Sequence, residues 1–189
     1  MRDLSLHLMD IIQNSVSAHA NRINVIIRTV LGAGRLYIVV SDNGVGMDKE
    51  FLEKVTDPFS TTRETRKVGL GISLLKAAAE RSGGSLLVSS EKGLGTTLKA
   101  DFIIDNIDRP PLGDIAETIV NILSANPQIE IDVILDNGTD ECAVFSTGEV
   151  KKRLDNVPIN EYDVLEWIKD FIEDNIKFTF GGVLYEVNS

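Results

Sequence analysis

Three groups of residues in this chain have the types and the spacing for chemistry. Asp10 and Asn14 stand one helical turn apart in the apolar run Leu-Met-Asp-Ile-Ile-Gln-Asn, so both side chains can point at one spot. An amide oxygen is a hard ligand suited to Mg²⁺, and a carboxylate beside it can hold a water. The second group is Asp42-Asn-Gly44-Val-Gly46-Met47, which follows the strand-like run Arg35-Leu-Tyr-Ile-Val-Val-Ser. Gly44 and Gly46 permit positive φ and let a ligand approach bare backbone. A carboxylate ending a strand there accepts hydrogen bonds, and suits a donor such as an exocyclic amino group. Asp-Asn-Gly is also an ordinary turn, and that reading stands beside the first. The third group is Gly69-Leu-Gly71, feeding a helix whose free N–H groups and dipole favour an anion. Arg63, Arg66 and Lys67 lie just upstream in a polar, positive stretch expected to be an exposed loop. The plainer alternative is that the two glycines only relieve a tight turn.

These residues need elements to hold them. Leu4, Leu8, Ile11, Ile12 and Ser15 recur at helical spacing, which predicts an amphipathic helix from residue 3 to about 20, with His7 and Ser17 on its solvated face. Arg22 to Val30 and Arg35 to Ser41 read as a hairpin across Leu31-Gly-Ala-Gly. Asp48 caps a short helix through Val55, which Pro58 stops. The helix after Gly71 ends at Ser82-Gly-Gly, and strands follow over Ser85 to Ser90 and Thr96 to Ile104.

Composition narrows the class. The 189 residues are 43% hydrophobic and 25% charged, a globular balance, and no apolar run approaches the roughly 20 residues of a membrane span. The start does not read as a signal peptide, and Cys142 is the only cysteine, so the expected place is the cytoplasm. A formal net charge of −10 argues against nucleic acid as a partner. Residues 1–105 carry 13 Lys+Arg against 12 Asp+Glu, whereas residues 106–189 carry 6 against 17. That shift coincides with Asp105-Asn-Ile-Asp-Arg-Pro-Pro111, which suggests a boundary between a domain over 1–106 and a small acidic α+β module over 107–189.

The motifs of the first half, taken in order, resemble the GHKL (Bergerat-fold) ATP-binding superfamily. That group includes sensor histidine kinases, anti-sigma-factor kinases, mismatch-repair ATPases, heat-shock chaperone ATPases and gyrase-type topoisomerases. Asp10-Ile-Ile-Gln-Asn14-Ser resembles the N box, Asp42-Asn-Gly44-Val-Gly46-Met47 the G1 box and Asp57-Pro-Phe-Ser-Thr-Thr the F box of the kinases. Gly69-Leu-Gly71-Ile-Ser-Leu-Leu-Lys resembles the G2 box, and Gly93-Leu-Gly-Thr96-Thr closes the set. One Gly-x-Gly says little, but five boxes in order across residues 10 to 97 are specific. The resemblance implies an α/β two-layer sandwich, a mixed sheet with helices on one face. It implies that Asp42 accepts from the adenine amino group with help from Thr96, and that Gly44, Gly46 and Met47 line the base. Asn14 would hold Mg²⁺ on the phosphates, and Gly69, Gly71 and Lys67 would hold the phosphates themselves. Asp10 would be the general base, although the hydrolysing members carry the longer Glu there. The N box is most like the mismatch-repair ATPases, while PFSTT and GLGISLLK are more like the histidine kinases. No phosphorylatable-histidine hairpin precedes the N box, so the acceptor is expected on a partner protein.

Beyond residue 107 the resemblance gives out. A helix carrying Leu112 to Leu123, a strand from Ile129 to Leu135, a turn at Asp136-Asn-Gly and a returning strand over Cys142 to Phe145 are expected, with Cys142 buried. Two helices follow, through Leu154 and through Ile172, and a strand or hairpin over Phe178 to Val187. This half either packs on the first or docks a partner. Two functions fit the whole: ATP hydrolysis or γ-phosphate transfer to a partner protein, or an ATP-gated protein-binding switch with little turnover.

Overall fold

Alternation in the apolar runs dictates a sheet with one buried face. The computed structural model describes residues 3–56, 70–139, 142–181 and 183–184. Within them, β1 (Arg22–Val30), β2 (Arg35–Asp42), β3 (Ser85–Glu91), β4 (Gly95–Ile103), β5 (Glu130–Asp136) and β6 (Cys142–Ser146) form one mixed sheet. Its order is β3-β4-β2-β1-β5-β6, with every neighbour antiparallel except the parallel pair β1–β5. Register lines the apolar positions up across strands: Ile27 pairs with Ile38 and Leu135, Ile38 with Ala100, and Leu36 with Phe102. All six of these side chains are buried.

The helices pack against that face. Asp3 caps α1 (Leu4–Ser17), its carboxylate accepting from the Leu6 N–H at 2.9 Å. Asp48 accepts from the Phe51 N–H at the start of α2 (Lys49–Thr56). α3 (Leu70–Arg81) lies beside α1 and touches β3 and β4, while α4 (Ile115–Ala125), capped by Asp114, lies along the other side of α1. α5 (Thr147–Leu154) sits at the start of β5, where Thr147 Oγ1 accepts from the Ile131 N–H at 2.7 Å. α6 (Tyr162–Phe180) packs on α4, β5 and β6.

Beyond the loop at residues 105–111, β5 pairs with β1 and α4 packs on α1. Several expectations change. The helix expected to end near Ile172 runs on to Phe180, since Ile168, Ile172, Ile176 and Phe180 continue one buried stripe at four-residue spacing. Of the expected strand over 178–187, residues 182 and 185–187 lie outside the described residues. Cys142 is exposed, as it opens the outermost strand on the uncovered face, opposite in parity to buried Phe145. His7 is buried although its stripe on α1 reads as solvated. The reason is that α1 is flanked by α3 and α4 as well as lying over the sheet, so its covered arc is wider than an apolar stripe alone.

Burial lowers the pKa of His7 from its ordinary value of 6.5. The charge of Arg81 acts in the same direction, Asp10 and Asp3 oppose it, and the His7 Nδ1 has no hydrogen-bond partner among the described residues. A folded state that binds this proton less readily than the unfolded chain is fully stable above pH 6.5 and loses stability as the pH falls through that value. Urea midpoints should therefore drop between pH 7.5 and 5.5, above the range where carboxylates titrate. The variant His7→Leu should flatten the profile in that window.

Candidate nucleotide site

The site is built where the C-terminal half of α1 crosses the end of β2. Asp42, last in β2, is held from two sides: Ser15 Oγ on α1 donates to Oδ2 at 2.7 Å, and the Gly44 N–H donates to Oδ1 at 2.9 Å. The loop after Asp42 is tied down residue by residue. Asn43 Oδ1 accepts from the Asn21 and Arg22 N–H groups, and the Val45 N–H donates to Ala18 O at 2.9 Å. The Gly93 N–H donates to Val45 O, and the Met47 N–H donates to Ser90 Oγ, both at 2.8 Å. Ser90 Oγ lies 2.8 Å from Gly95 O and 2.9 Å from Thr96 Oγ1. A hydroxyl has one proton and two lone pairs. Donation to Gly95, with acceptance from Met47 and Thr96, uses all three, and Thr96 keeps acceptor capacity of its own.

Two glycines are required by their surroundings. Gly46 has φ +65°, and a Cβ there would stand 2.0 Å from Glu91 O. At Gly71, in the first turn of α3, a Cβ would come within 2.9 Å of the Asp10 Cβ, so α1 and α3 meet with Asp10 between them. Gly44 departs from expectation: its φ is not positive, and its small size instead serves the close approach of Ala18 O, 2.7 Å from where a Cβ would lie.

Asn14, Asp42, Gly46, Met47 and Thr96 line one narrow cleft of about 60 Å³ with Ser15. Its apolar walls come from α1, β2, β4 and α3, with Ile11, Val40, Leu98 and Ile72 among them. Gly44 acts on it through Asp42. Asp10 and Gly71 stand beside the cleft at the α1–α3 contact. Asp10 is exposed, and no described residue donates a hydrogen bond to it. Lys67 and Gly69 lie outside the described residues. Ser15 and Ser90 were missed as site residues. Ser15 carried a signal, being a hydroxyl at a core position of α1, where a buried polar group needs a partner. Ser90 carried none, since its role arises only from the hairpin bringing Gly95 and Thr96 opposite the loop.

A strand-end carboxylate under an Asp–Asn helix, on a mixed sheet covered on one face, defines an ATPase-type two-layer sandwich. The chain belongs to the family described as histidine kinase-, DNA gyrase B- and HSP90-like ATPase, whose model matches residues 2–109, more than half of its length. Among curated proteins it is 31% identical over 111 residues to the autoinducer 2 sensor kinase/phosphatase LuxQ of Vibrio cholerae, covering 54% of this chain and 13% of that protein. It is 41% identical over 69 residues to the histidine protein kinase DivJ of Caulobacter vibrioides, covering 34% of this chain and 12% of that one. The chain thus matches only a small fraction of each relative's length. Among solved structures, the N-terminal domain of a DNA repair protein shares the fold at a TM-score of 0.51 and 18% identity, over 76% of this chain and 52% of that one.

A hydrogen bond to a charged group contributes roughly 1.5–3 kcal/mol. Ser15→Ala should therefore lower the unfolding free energy by about that much and weaken ATP binding about tenfold, because Asp42 loses its anchor on α1. Urea denaturation and calorimetric titration check the two effects separately.

Proposed function

We propose that the chain binds Mg²⁺-ATP in this cleft and hydrolyses it, or transfers the γ-phosphate to a partner protein, in the cytoplasm. The observation that carries the reading is the state of Asp42. An ionised carboxylate offers about four acceptor sites. The two recorded hydrogen bonds, from Ser15 and Gly44, fix its plane and leave acceptor capacity for an exocyclic amino donor in an apolar slot. The cleft is smaller than the few hundred Å³ of ordinary ligand sites, so side chains at its rim, Met47 first, must swing aside for a purine ring. Asn14, on the cleft wall one turn from Asp10, fits a hard cation whose other ligands are phosphate oxygens. That cation would neutralise phosphate charge. The chain's own part is to orient the base through Asp42 and Thr96, to place phosphate at the first turn of α3 beside Gly71, and to hold a water or acceptor hydroxyl at Asp10. The described helices include none long and apolar enough to cross a membrane.

Asp42→Asn should weaken ATP binding by roughly tenfold to a hundredfold, the loss of about 1.5–3 kcal/mol for a charged acceptor. GTP, with a carbonyl at the corresponding position, should bind poorly to the wild type. Equal affinities for ATP and GTP by calorimetry would overturn the assignment.

A second reading, an ATP-gated switch with little turnover, is favoured by the shorter reach of Asp10 compared with Glu. Positioned acid–base groups contribute roughly 10²–10⁴ in rate. If Asp10 is the base, Asp10→Asn should retain bound ATP and cut single-turnover γ-phosphate release at least about a hundredfold. Undiminished release by the variant removes Asp10 from the chemistry, and a wild type that binds but never cleaves ATP establishes the switch.

A further inference from the structure

An apolar recess in the second half of the chain has no part in the nucleotide site. It is a cleft of about 670 Å³ bounded by β6, α5 and α6, with Phe145, Val150, Leu154, Val164, Trp167 and Phe171 on its walls. Phe171 lies between Phe145 and Trp167, its ring tilted to both at centroid separations of 5.9 and 5.5 Å, which makes one wall an aromatic face. Trp167 is nevertheless 51% exposed and Val144 is 58% exposed.

Among the described residues β6 is the last strand of the sheet and pairs on one side only, with β5. Natural edges are blunted by Lys, Pro or a bulge. β6 reads Cys142-Ala-Val-Phe-Ser and has none of these, and no hydrogen bond is recorded on its outer side among the described residues. Because Val144, Phe145 and Ser146 themselves line the cleft, it occupies the place where a seventh strand would lie.

Charge selects the occupant. Asp163, Trp167, Asp170 and Asp174 recur on α6 at i, i+4, i+7 and i+11 and share one stripe, with Glu166 alongside. Asp163, Glu166 and Asp170 are exposed, and none makes an ion pair among the described residues. Glu149, on the α5 wall, is engaged by Lys152 at 2.6 Å, and Arg153 is the one cation among the lining residues. The aromatic face of Trp167 amid unpaired carboxylates suits a Lys or Arg side chain by both ion pairing and cation–π attraction.

We propose that the β6 edge and its cleft receive an extended, basic segment of a partner protein as a seventh strand. Alternate side chains of an added strand fall on opposite faces, so Lys or Arg on the helix side meets Trp167 and the α6 carboxylates, while apolar side chains on the other side cover the exposed Val144. The inference does not rest on nucleotide binding.

Trp167 is the only tryptophan in the chain, so its emission reports on this cleft alone. The probe is a fluorescein-labelled ten-residue peptide of alternating lysine and valine, titrated into the full chain. A peptide with glutamate for lysine, and one with the same composition in two blocks, serve as controls. The expected result is a rise in anisotropy, a blue shift of Trp167 emission and slowed hydrogen exchange of the 142–146 amides with the alternating lysine peptide. Both controls should bind at least tenfold more weakly, as should the alternating peptide to the surface double variant Asp163→Lys/Asp170→Lys. Binding that leaves the emission or the 142–146 amides unchanged would overturn the proposal, as would equal binding of the controls or no binding at all. A free chain that sediments as a dimer with those amides already protected would give the edge to a second copy and overturn it too.

Discussion

A half-buried carboxylate at the end of a central strand constrains everything around it. Taking Asp42 out of water is unfavourable unless hydrogen bonds replace the lost solvation. Ser15 and Gly44 supply them from two different elements. For Ser15 to reach, α1 must lie across the end of β2 at one rotation about its own axis, and that rotation is set by Leu4, Leu8, Ile12 and the other side chains it buries on the sheet. For Gly44 to reach, the loop must turn at once after Asp42, which the Ala18 and Asn43 hydrogen bonds enforce. The seating of a helix and the aim of one carboxylate are therefore a single event. The same rotation puts Asn14 on the cleft wall and carries Asp10 to its edge.

Periodicity made much of this legible. The alternation in Arg22–Val30 and Arg35–Ser41 located the two central strands to within a residue, and Asp48 caps the helix that follows it, as its place in the sequence suggests. What escaped was what depends on neighbours distant in sequence. His7 looks solvated until α3 and α4 are known to flank α1. Cys142 looks like a core strand residue until β6 is known to be outermost. The extent of α6 was hidden because Phe178, Thr179 and Phe180 read equally well as strand, and only the stripe continued from Ile168 decides it. Ser90 belongs to no motif. It matters because pairing places it against Thr96 and beside the loop that carries Met47.

The two halves differ more in surface than in architecture. The acidic residues that set residues 106–189 apart are spread over this half, with Asp163, Glu166, Asp170 and Asp174 on the outward side of α6, while its inward side extends the core begun by α1 and β1. The ion pair Arg22–Glu130 and the register from Ile23 to Leu135 tie the halves at the sheet itself. A shift in charge along a chain marks a change of surface, and it need not coincide with a break in the core.

The parallel pairing of β1 with β5 sets an order of events during synthesis. Arg22 and Glu130 are 108 positions apart, and contacts that close so long a loop form late and slow the search for the native state. A ribosome reaches β5 only after the whole of residues 22–103 has emerged, so β1 waits with Ile23, Val25 and Ile27 beside an open edge. Until β5 arrives, that edge is exposed to mispairing, and the nascent chain depends on its C-terminal half to close it.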